Sequence, residues 1–460
     1  MKSTLLLNGI LNTDSYKPSH WLQYPPGTTI VQSYIESRGG EWDFTQWFGL
    51  QIWLKEYLSK PITQEMIEQA EIILKAHGEP FNREGWEYIV NEHRGYLPIR
   101  IRAVPEGTNL PTKNVLAIIE NTDPKCFWLP SYVETAALRA AWYGTTVSTL
   151  SKSIKKMILR YLEETGDPSL INFKLHDFGA RGVSSKESAG IGGAAHLVNF
   201  MGTDTIEGML YSMVYYNTSE VTGFSIPAAE HSTITAYGRE GEVEAFRNML
   251  HQFAKPGALV AVVSDSYDIY NACENLWGGV LKQEVIDSGA VVVVRPDSGH
   301  PATVVVNCAR ILASKFGYTT NDKGYMVLNN VRIIQGDGIN ETSIREILFS
   351  LKMARFSADN IAFGMGGALL QGINRDSLKF AQKACAMLIN DTWVDIFKEP
   401  ITDPGKNSKR GRLDLYKDEQ GQYDTLREDP TKESQLVTVF ENGKLTKEWT
   451  FAEVRAVSNS

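Results

Sequence analysis

From about residue 170 the chain repeats one pattern: a short, uninterrupted apolar run, a polar glycine-rich loop, then helical spacing. LINFKL runs into HDFGARG, VTGFSI into PAAEHS, ALVAVV into SDSYD, AVVVV into RPDSG, VRIIQ into GDG, and NIAF into GMGG. Apolar strands of this kind, each followed by a helix, predict a parallel sheet covered on both faces. Several runs end in polar or glycine-rich loops. That favours a (β/α) barrel, whose strand ends converge on one face, over an open doubly wound sheet. Before residue 150 the pattern is mixed. Segments 28–36, 96–108 and 115–123 have strand character, 62–78 has helical spacing, and a helix from about residue 133 leads into a basic amphipathic stretch at 151–166. After about residue 390 the barrel rhythm stops, and 435–449 reads as a hairpin turning at Asn442-Gly443. The expected fold class is therefore α/β: an irregular TIM-like barrel over 151–389, with a β-rich second domain built from 1–150 and 390–460.

Composition narrows the class. Hydrophobic residues make up 43% and charged residues 22%, the proportions of a globular chain rather than a disordered one. A net charge of −8 argues against nucleic-acid binding by bulk charge, while leaving room for a local cationic pocket. Cys126, Cys273, Cys308 and Cys385 are far apart, without disulfide or metal-ligand spacing, and read as buried reduced thiols. The N-terminal stretch lacks a secretory cleavage pattern, and no apolar run approaches the roughly 18 residues of a membrane helix. The expectation is a cytoplasmic protein with no membrane or nucleic-acid partner.

The loops supply candidate chemistry, each with a bland alternative. GDG at 336–338 and GMGG at 364–367 are consecutive strand-to-helix turns that suit a phosphate or ribose, though a tight turn without ligand looks the same. Ser343 to Glu346 reads as a capping box. In RPDSGHP, Arg295 can grip a phosphate or amide oxygen and Asp297 can hold hydrated Mg²⁺ or ribose hydroxyls; the alternative is a salt-bridged pair. Asp265 has the same ambiguity. HDFGARG places Phe178 three residues from Arg181, a stacking ring and a guanidinium, although a Phe is ordinarily core. His231 is either structural or a general base or phosphoryl acceptor. KNSKRGR (406–412) carries four cations in seven residues, as a solvated loop or a polyphosphate contact. No phosphate-binding P-loop, nucleophile elbow or zinc signature is present. These residues reach a barrel enzyme with an anionic small-molecule ligand, and no named reaction.

Taken in order, TDSYKPSH (13–20), the long string at 174–205, SIPAAEHSTITAYG (225–238), VVSDSYDIYNAC (262–273), RPDSGHP, IQGDGIN, NIAFGMGG and SKRGRL resemble the nicotinamide phosphoribosyltransferases of the type II phosphoribosyltransferase family. The resemblance implies an irregular barrel with a β-rich domain, and a homodimer with shared active sites. It implies nicotinamide and 5-phosphoribosyl-1-pyrophosphate as substrates, Mg²⁺ as cofactor and ATP as co-substrate. It places Phe178 and the Tyr16 ring of a partner chain on the two faces of the pyridine, with Asp204 reading the carboxamide. Arg181, Ser225, Asp265 and Arg295 become substrate contacts. Asp297, Gly336, Asp337, Gly366, Gly367 and Arg375 hold the ribose and its phosphate, with Asp297 also the Mg²⁺ ligand. Arg38, Lys406 and Lys409 reach the polyphosphate, and His231 is the phosphorylated histidine. On this reading His231, Asp297 and Arg295 carry the catalytic roles. The segment after Arg38 is shorter than in the vertebrate members and lacks their charged insertion, Ala180 stands where many relatives have an aromatic, and Met365 replaces a small residue. The alternatives are a nicotinate phosphoribosyltransferase of the same fold, distinguished by Asp204, and a catalytically silent nucleotide-sensing dimer.

Overall fold

A computed structural model describes residues 5–460, so the first four residues of the N-terminal stretch lie outside the described residues. The chain forms two compact units. Among the described residues, one comprises residues 5–149, 211–219 and 374–460; the other comprises 150–210 and 220–373.

The first unit is built on a seven-stranded antiparallel sheet. Its order is Thr392–Asp395, Phe380–Ile389, Thr28–Ser37, Val115–Asn121, Ile99–Ala103, Val437–Glu441 and Lys444–Leu445. The hairpin between the last two strands turns through Asn442 and Gly443, both at positive φ (50° and 83°), as the Asn-Gly pair predicts. Helix Gln64–His77 starts where the Thr63 side chain accepts from the Met66 N–H, and it ends at Gly78 in the left-handed region. Together with Arg83–His93 it covers a core in which Trp86 meets Trp128 and Tyr132 edge-on, at 4.8 and 5.1 Å.

The expected boundary at 389 differs from the structure. Phe380–Ile389 pairs along its length with Thr28–Ser37, so 374–389 lies in the antiparallel unit. A ten-residue strand satisfies its backbone wherever a partner edge exists, and here the edge belongs to the N-terminal sheet. Residues 211–219 join the same unit for a packing reason. Tyr216 is fully buried, stacks on Phe48 at 5.1 Å and donates its hydroxyl to Glu106.

The second unit holds a six-stranded parallel sheet in the order Gly202–Thr203, Leu175–Asp177, Ile361–Met365, Val331–Gln335, Val291–Arg295, Leu259–Val263. The extended segment 224–229 joins its two edges. Phe224 bridges Gly202 on one side, and Ala228 bridges Ala261 on the other. Four backbone hydrogen bonds of 2.7–3.0 Å secure these junctions. The sheet is thereby closed into an irregular barrel, in agreement with the expected class. Ala261, Val293 and Ile334 fill it, with Ile226, Ala362 and Phe178 packed against them. Helix Glu341–Met353 opens on a capping box formed by Asn340 and Ser343, one turn before the Ser343–Glu346 box read from sequence. Asn340 offers the earlier side-chain acceptor, which takes both the Thr342 and Ser343 N–H groups.

All four cysteines are free and buried. Among the described residues no helix is long and apolar enough to cross a membrane.

Glu106 is a fully buried acid of the antiparallel unit whose carboxylate is held by several donors. It accepts from the N–H groups of Gly49 and Gln51, at 3.0 and 2.7 Å, and from Tyr216. Replacing Glu106 with Ala orphans these donors and is expected to lower unfolding stability by about 3 kcal/mol, read by denaturant titration. Glu106→Gln, which keeps an acceptor, is expected to lose clearly less.

Candidate active site

Twelve of the residues singled out from sequence stand at the C-terminal ends of the parallel strands or on the closing segment, and all twelve belong to the barrel unit. Phe178 and Arg181 follow Leu175–Asp177, and Asp204 follows Gly202–Thr203. Ser225 is on the closing segment and His231 starts the helix His231–Thr235. Asp265 follows Leu259–Val263. Arg295 ends its strand, with Asp297 two residues on. Gly336 and Asp337 follow Val331–Gln335, and Gly366 and Gly367 follow Ile361–Met365.

The Phe178 ring packs closely against the neighbouring strand because position 364 has no side chain. A Cβ on Gly364 would stand 1.9 Å from the ring's Cε2. The Phe178 N–H donates to the Met365 carbonyl at 3.0 Å, which fixes the turn. Met365, one of the departures noted from sequence, is buried, and Ala180 is half-buried in the next turn. The Arg295 guanidinium carbon is 5.5 Å from the Phe178 ring centroid, within cation–π range. Arg295 also grips Asp297 through three hydrogen bonds of 2.9–3.1 Å. Gly336 leaves room beside this pair: a Cβ there would come within 3.2 Å of both Arg295 Nη2 and Asp297 Oδ1. Ring, cation, acid and open backbone therefore adjoin one another.

Two further pairs are preset. Ser225 Oγ donates to Asp204 Oδ1 at 2.6 Å, which fixes the exposed carboxylate and leaves Oδ2 to a ligand. His231 Nε2 is 2.9 Å from Asp265 Oδ1; the histidine is half exposed and the aspartate side chain is buried. The acid orients the imidazole and leaves Nδ1 as the other reactive nitrogen. His176 donates from Nε2 to the Phe173 carbonyl at 3.0 Å, and burial pulls its pKa down. The bond and the burial mark it as a structural histidine. Arg181, Asp337 and Gly367 are exposed, and Gly366 is half-buried.

The remaining five residues belong to the antiparallel unit. Tyr16 is 54% exposed. Arg38 Nε and Lys409 Nζ both reach the buried Glu36 carboxylate, each at 3.0 Å. Lys406 is exposed and pairs with Asp403 at 3.1 Å, and Arg375 is exposed beside Asp376. Sequence reasoning missed Lys383. It lies among the positive fields of Arg38, Lys17 and Lys398, and burial pulls its pKa down. Its only sequence signal was a lysine within a largely apolar strand. It also missed Asp177, fully buried behind Phe178.

Among the described residues the one close His/Cys/Asp/Glu triple is His93, Asp123 and Cys126, in the antiparallel unit. The barrel's strand ends offer Asp297 as a carboxylate beside a fixed guanidinium. One carboxylate suits Mg²⁺, which usually keeps its waters and shares ligands with substrate phosphates.

Comparison with known proteins shows which family the chain is related to. Residues 173–444 match the nicotinate phosphoribosyltransferase (NAPRTase) family, and residues 8–101 match the nicotinamide phosphoribosyltransferase N-terminal domain. A protein of Xanthomonas campestris pv. campestris named nicotinamide phosphoribosyltransferase is 57% identical, over 98% of this chain and 97% of its own. A Mycoplasma pneumoniae protein of the same name is 34% identical, over 89% and 96%. In fold, the chain resembles a Pyrococcus furiosus nicotinate-nucleotide pyrophosphorylase (TM-score 0.61, 16% identity, covering 98% and 94%). It also resembles human nicotinic acid phosphoribosyltransferase (TM-score 0.54, 16% identity, covering 97% and 93%). With more than half its length matched by one family and near-complete alignment to these relatives, the chain belongs to the nicotinate phosphoribosyltransferase family.

Proposed function

We propose that this chain is a nicotinamide phosphoribosyltransferase of NAD salvage. It joins nicotinamide to 5-phosphoribosyl-1-pyrophosphate, giving nicotinamide mononucleotide and pyrophosphate. The observation that carries this reading is the 57% identity, along essentially the whole chain, to a relative of that name. The family's nicotinate members make the acid substrate the second reading, and Asp204 is the residue that separates the two.

The pyridine ring stacks on Phe178. Asp204 Oδ2 accepts from the carboxamide NH₂, while Ser225 holds Oδ1. A carboxylate in the same place meets a like charge, so nicotinate is selected against. Arg181 reaches the amide end. Arg295 turns from Asp297 toward the phosphoribosyl group, and Gly336, Asp337, Gly366 and Gly367 hold ribose and 5′-phosphate. The pyridine nitrogen is a neutral nucleophile with no proton to lose, which accounts for the lack of a general base at the ring. Its lone pair forms the bond to C1 as the C1–oxygen bond to pyrophosphate breaks and the electron pair leaves with that oxygen. The barrel's task is to align ring and sugar and to stabilise the departing charge, a task for orientation and fixed cations. Asp297 would hold Mg²⁺, which when bound neutralises part of the pyrophosphate charge.

Assembly and regulation belong to the same proposal. The chain works as a homodimer, in which the partner's Tyr16 covers the other face of the ring. Arg38, Lys406, Lys409 and Arg375 serve the phosphates. Their present anionic partners, Glu36, Asp403 and Asp376, hold them in place until substrate phosphate competes. His231 takes the γ-phosphoryl group of ATP, releasing ADP, and later loses it to water. Asp265 keeps its ring aligned. Four free buried cysteines fit the reducing cytoplasm, where the enzyme is placed.

Three outcomes follow for the purified chain. Asp204→Asn is expected to shift the ratio of kcat/KM for nicotinamide over nicotinate toward nicotinate by about tenfold or more, as the like charge is removed. Turnover of nicotinate by the wild type at a rate comparable to nicotinamide would instead favour the acid-specific reading. Gly364→Ala is expected to displace the Phe178 ring and raise the KM for nicotinamide by about tenfold or more, with the fold retained by circular dichroism. His231→Ala is expected to abolish ATP hydrolysis and raise the KM of the phosphoribosyl donor while basal transfer persists. ATP stimulation that survives this substitution rejects the histidine's assignment.

A further inference from the structure

Asp177 ends the strand Leu175–Asp177, opposite Met365 on one neighbour and Thr203 on the other. Its side chain is fully buried. Carboxyl Oδ1 accepts from the Gly179 N–H at 2.7 Å, within the turn that follows Phe178. Its main-chain carbonyl accepts from the Asp204 N–H at 2.9 Å. One residue thus fastens the ring platform through its side chain and the amide reader through its backbone. Oδ2 is buried and makes no hydrogen bond. The hydroxyl of Thr205, its polar neighbour, is also buried and lacks a hydrogen bond of good geometry. Burial, with the charge of Asp204 added, pushes the Asp177 pKa up to about 6, against the pull of the Gly179 N–H and Thr205. A buried acid with half its acceptor capacity unused is costly, and an apolar residue would serve packing better. The carboxylate at this position calls for a reason beyond packing.

We propose that Asp177 is a positioning residue for pyridine recognition, setting the spacing of Phe178 and Asp204 and adding a second negative charge behind the amide reader. The proposal rests on the nicotinamide reading of the site. Through Oδ1 the carboxylate pins the turn that carries Phe178. Through its charge it deepens the negative field around Asp204, so that the NH₂ donor of a carboxamide is favoured and a ligand carboxylate faces two acids in place of one. Asn at 177 keeps the shape and an acceptor for Gly179 but lacks the charge. Ala loses both.

Steady-state kinetics of Asp177→Asn and Asp177→Ala with nicotinamide and with nicotinate, alongside melting temperatures, test this. For Asp177→Asn the expectation is wild-type folding, discrimination against nicotinate reduced by about fivefold or more, and a donor KM within about twofold of wild type. Asp177→Ala adds a rise of about tenfold in the nicotinamide KM, because the turn is released. A merely structural role predicts lower melting temperatures with the discrimination ratio intact; that outcome, or an Asn variant that discriminates as well as wild type, overturns the proposal. Should neither variant fold, Thr205→Val, which removes only the neighbouring hydroxyl, decides. A shift in the nicotinamide-to-nicotinate ratio of about twofold or more supports the proposal, and no shift overturns it. Failure of the underlying reading looks different: the wild-type chain itself then forms no nicotinamide mononucleotide.

Discussion

The closure of the parallel sheet by residues 224–229 is the constraint on which the site depends. Open, the sheet would leave Gly202–Thr203 and Leu259–Val263 as distant edges, with Asp204 and Asp265 on opposite flanks. The bridges Phe224–Gly202 and Ala228–Ala261 turn those edges toward each other through a segment too irregular to be a full strand. That segment also contributes Ser225 to the site and Ile226 to the interior. The same six residues therefore complete the barrel, fill part of its core and fix the Asp204 carboxylate.

Within each unit the charged residues are arranged in mutually satisfied pairs: Arg295 with Asp297 and His231 with Asp265 in the barrel unit, and Arg38 and Lys409 on Glu36 in the antiparallel unit. Pairing holds long side chains in one geometry and keeps half-buried charges compensated. In the proposed reaction an incoming phosphate would exchange one anion for another at a guanidinium already in place, which keeps reorganisation small. A reaction whose nucleophile arrives neutral and whose leaving group departs highly charged needs this kind of preset electrostatics more than it needs proton transfer.

Much of this architecture was legible in the sequence, because strands buried on both faces write themselves as unbroken apolar runs and strand-end loops write themselves as polar, glycine-rich strings. Phe178, Arg295 and Gly336 could be placed at strand ends on that basis, whereas Asp204, after the two-residue strand Gly202–Thr203, was named only through the family resemblance. What escaped was decided by tertiary partners. Residues 211–219 have the same helical pattern as the residues before them, yet Tyr216 is buried against Phe48 and Glu106. Phe380–Ile389 is a strand in either setting, and only its pairing with Thr28–Ser37 assigns it to the antiparallel unit. Asn340 displaced Ser343 as the helix cap because it stood one turn nearer the strand. Asp177 and Lys383 carry no motif of their own. Their meaning lies in burial beside Phe178 and in proximity to Arg38, neither of which local spacing encodes.

The central claim is a place: the vitamin ring lies on Phe178 with its amide at Asp204. A crystal structure of the enzyme with nicotinamide mononucleotide bound tests it most directly. The account predicts the pyridine stacked on the Phe178 ring, the carboxamide nitrogen within hydrogen-bond distance of Asp204 Oδ2, and the 5′-phosphate at the glycine turns. Electron density for the base at any other strand end, or with its amide turned away from Asp204, would contradict it.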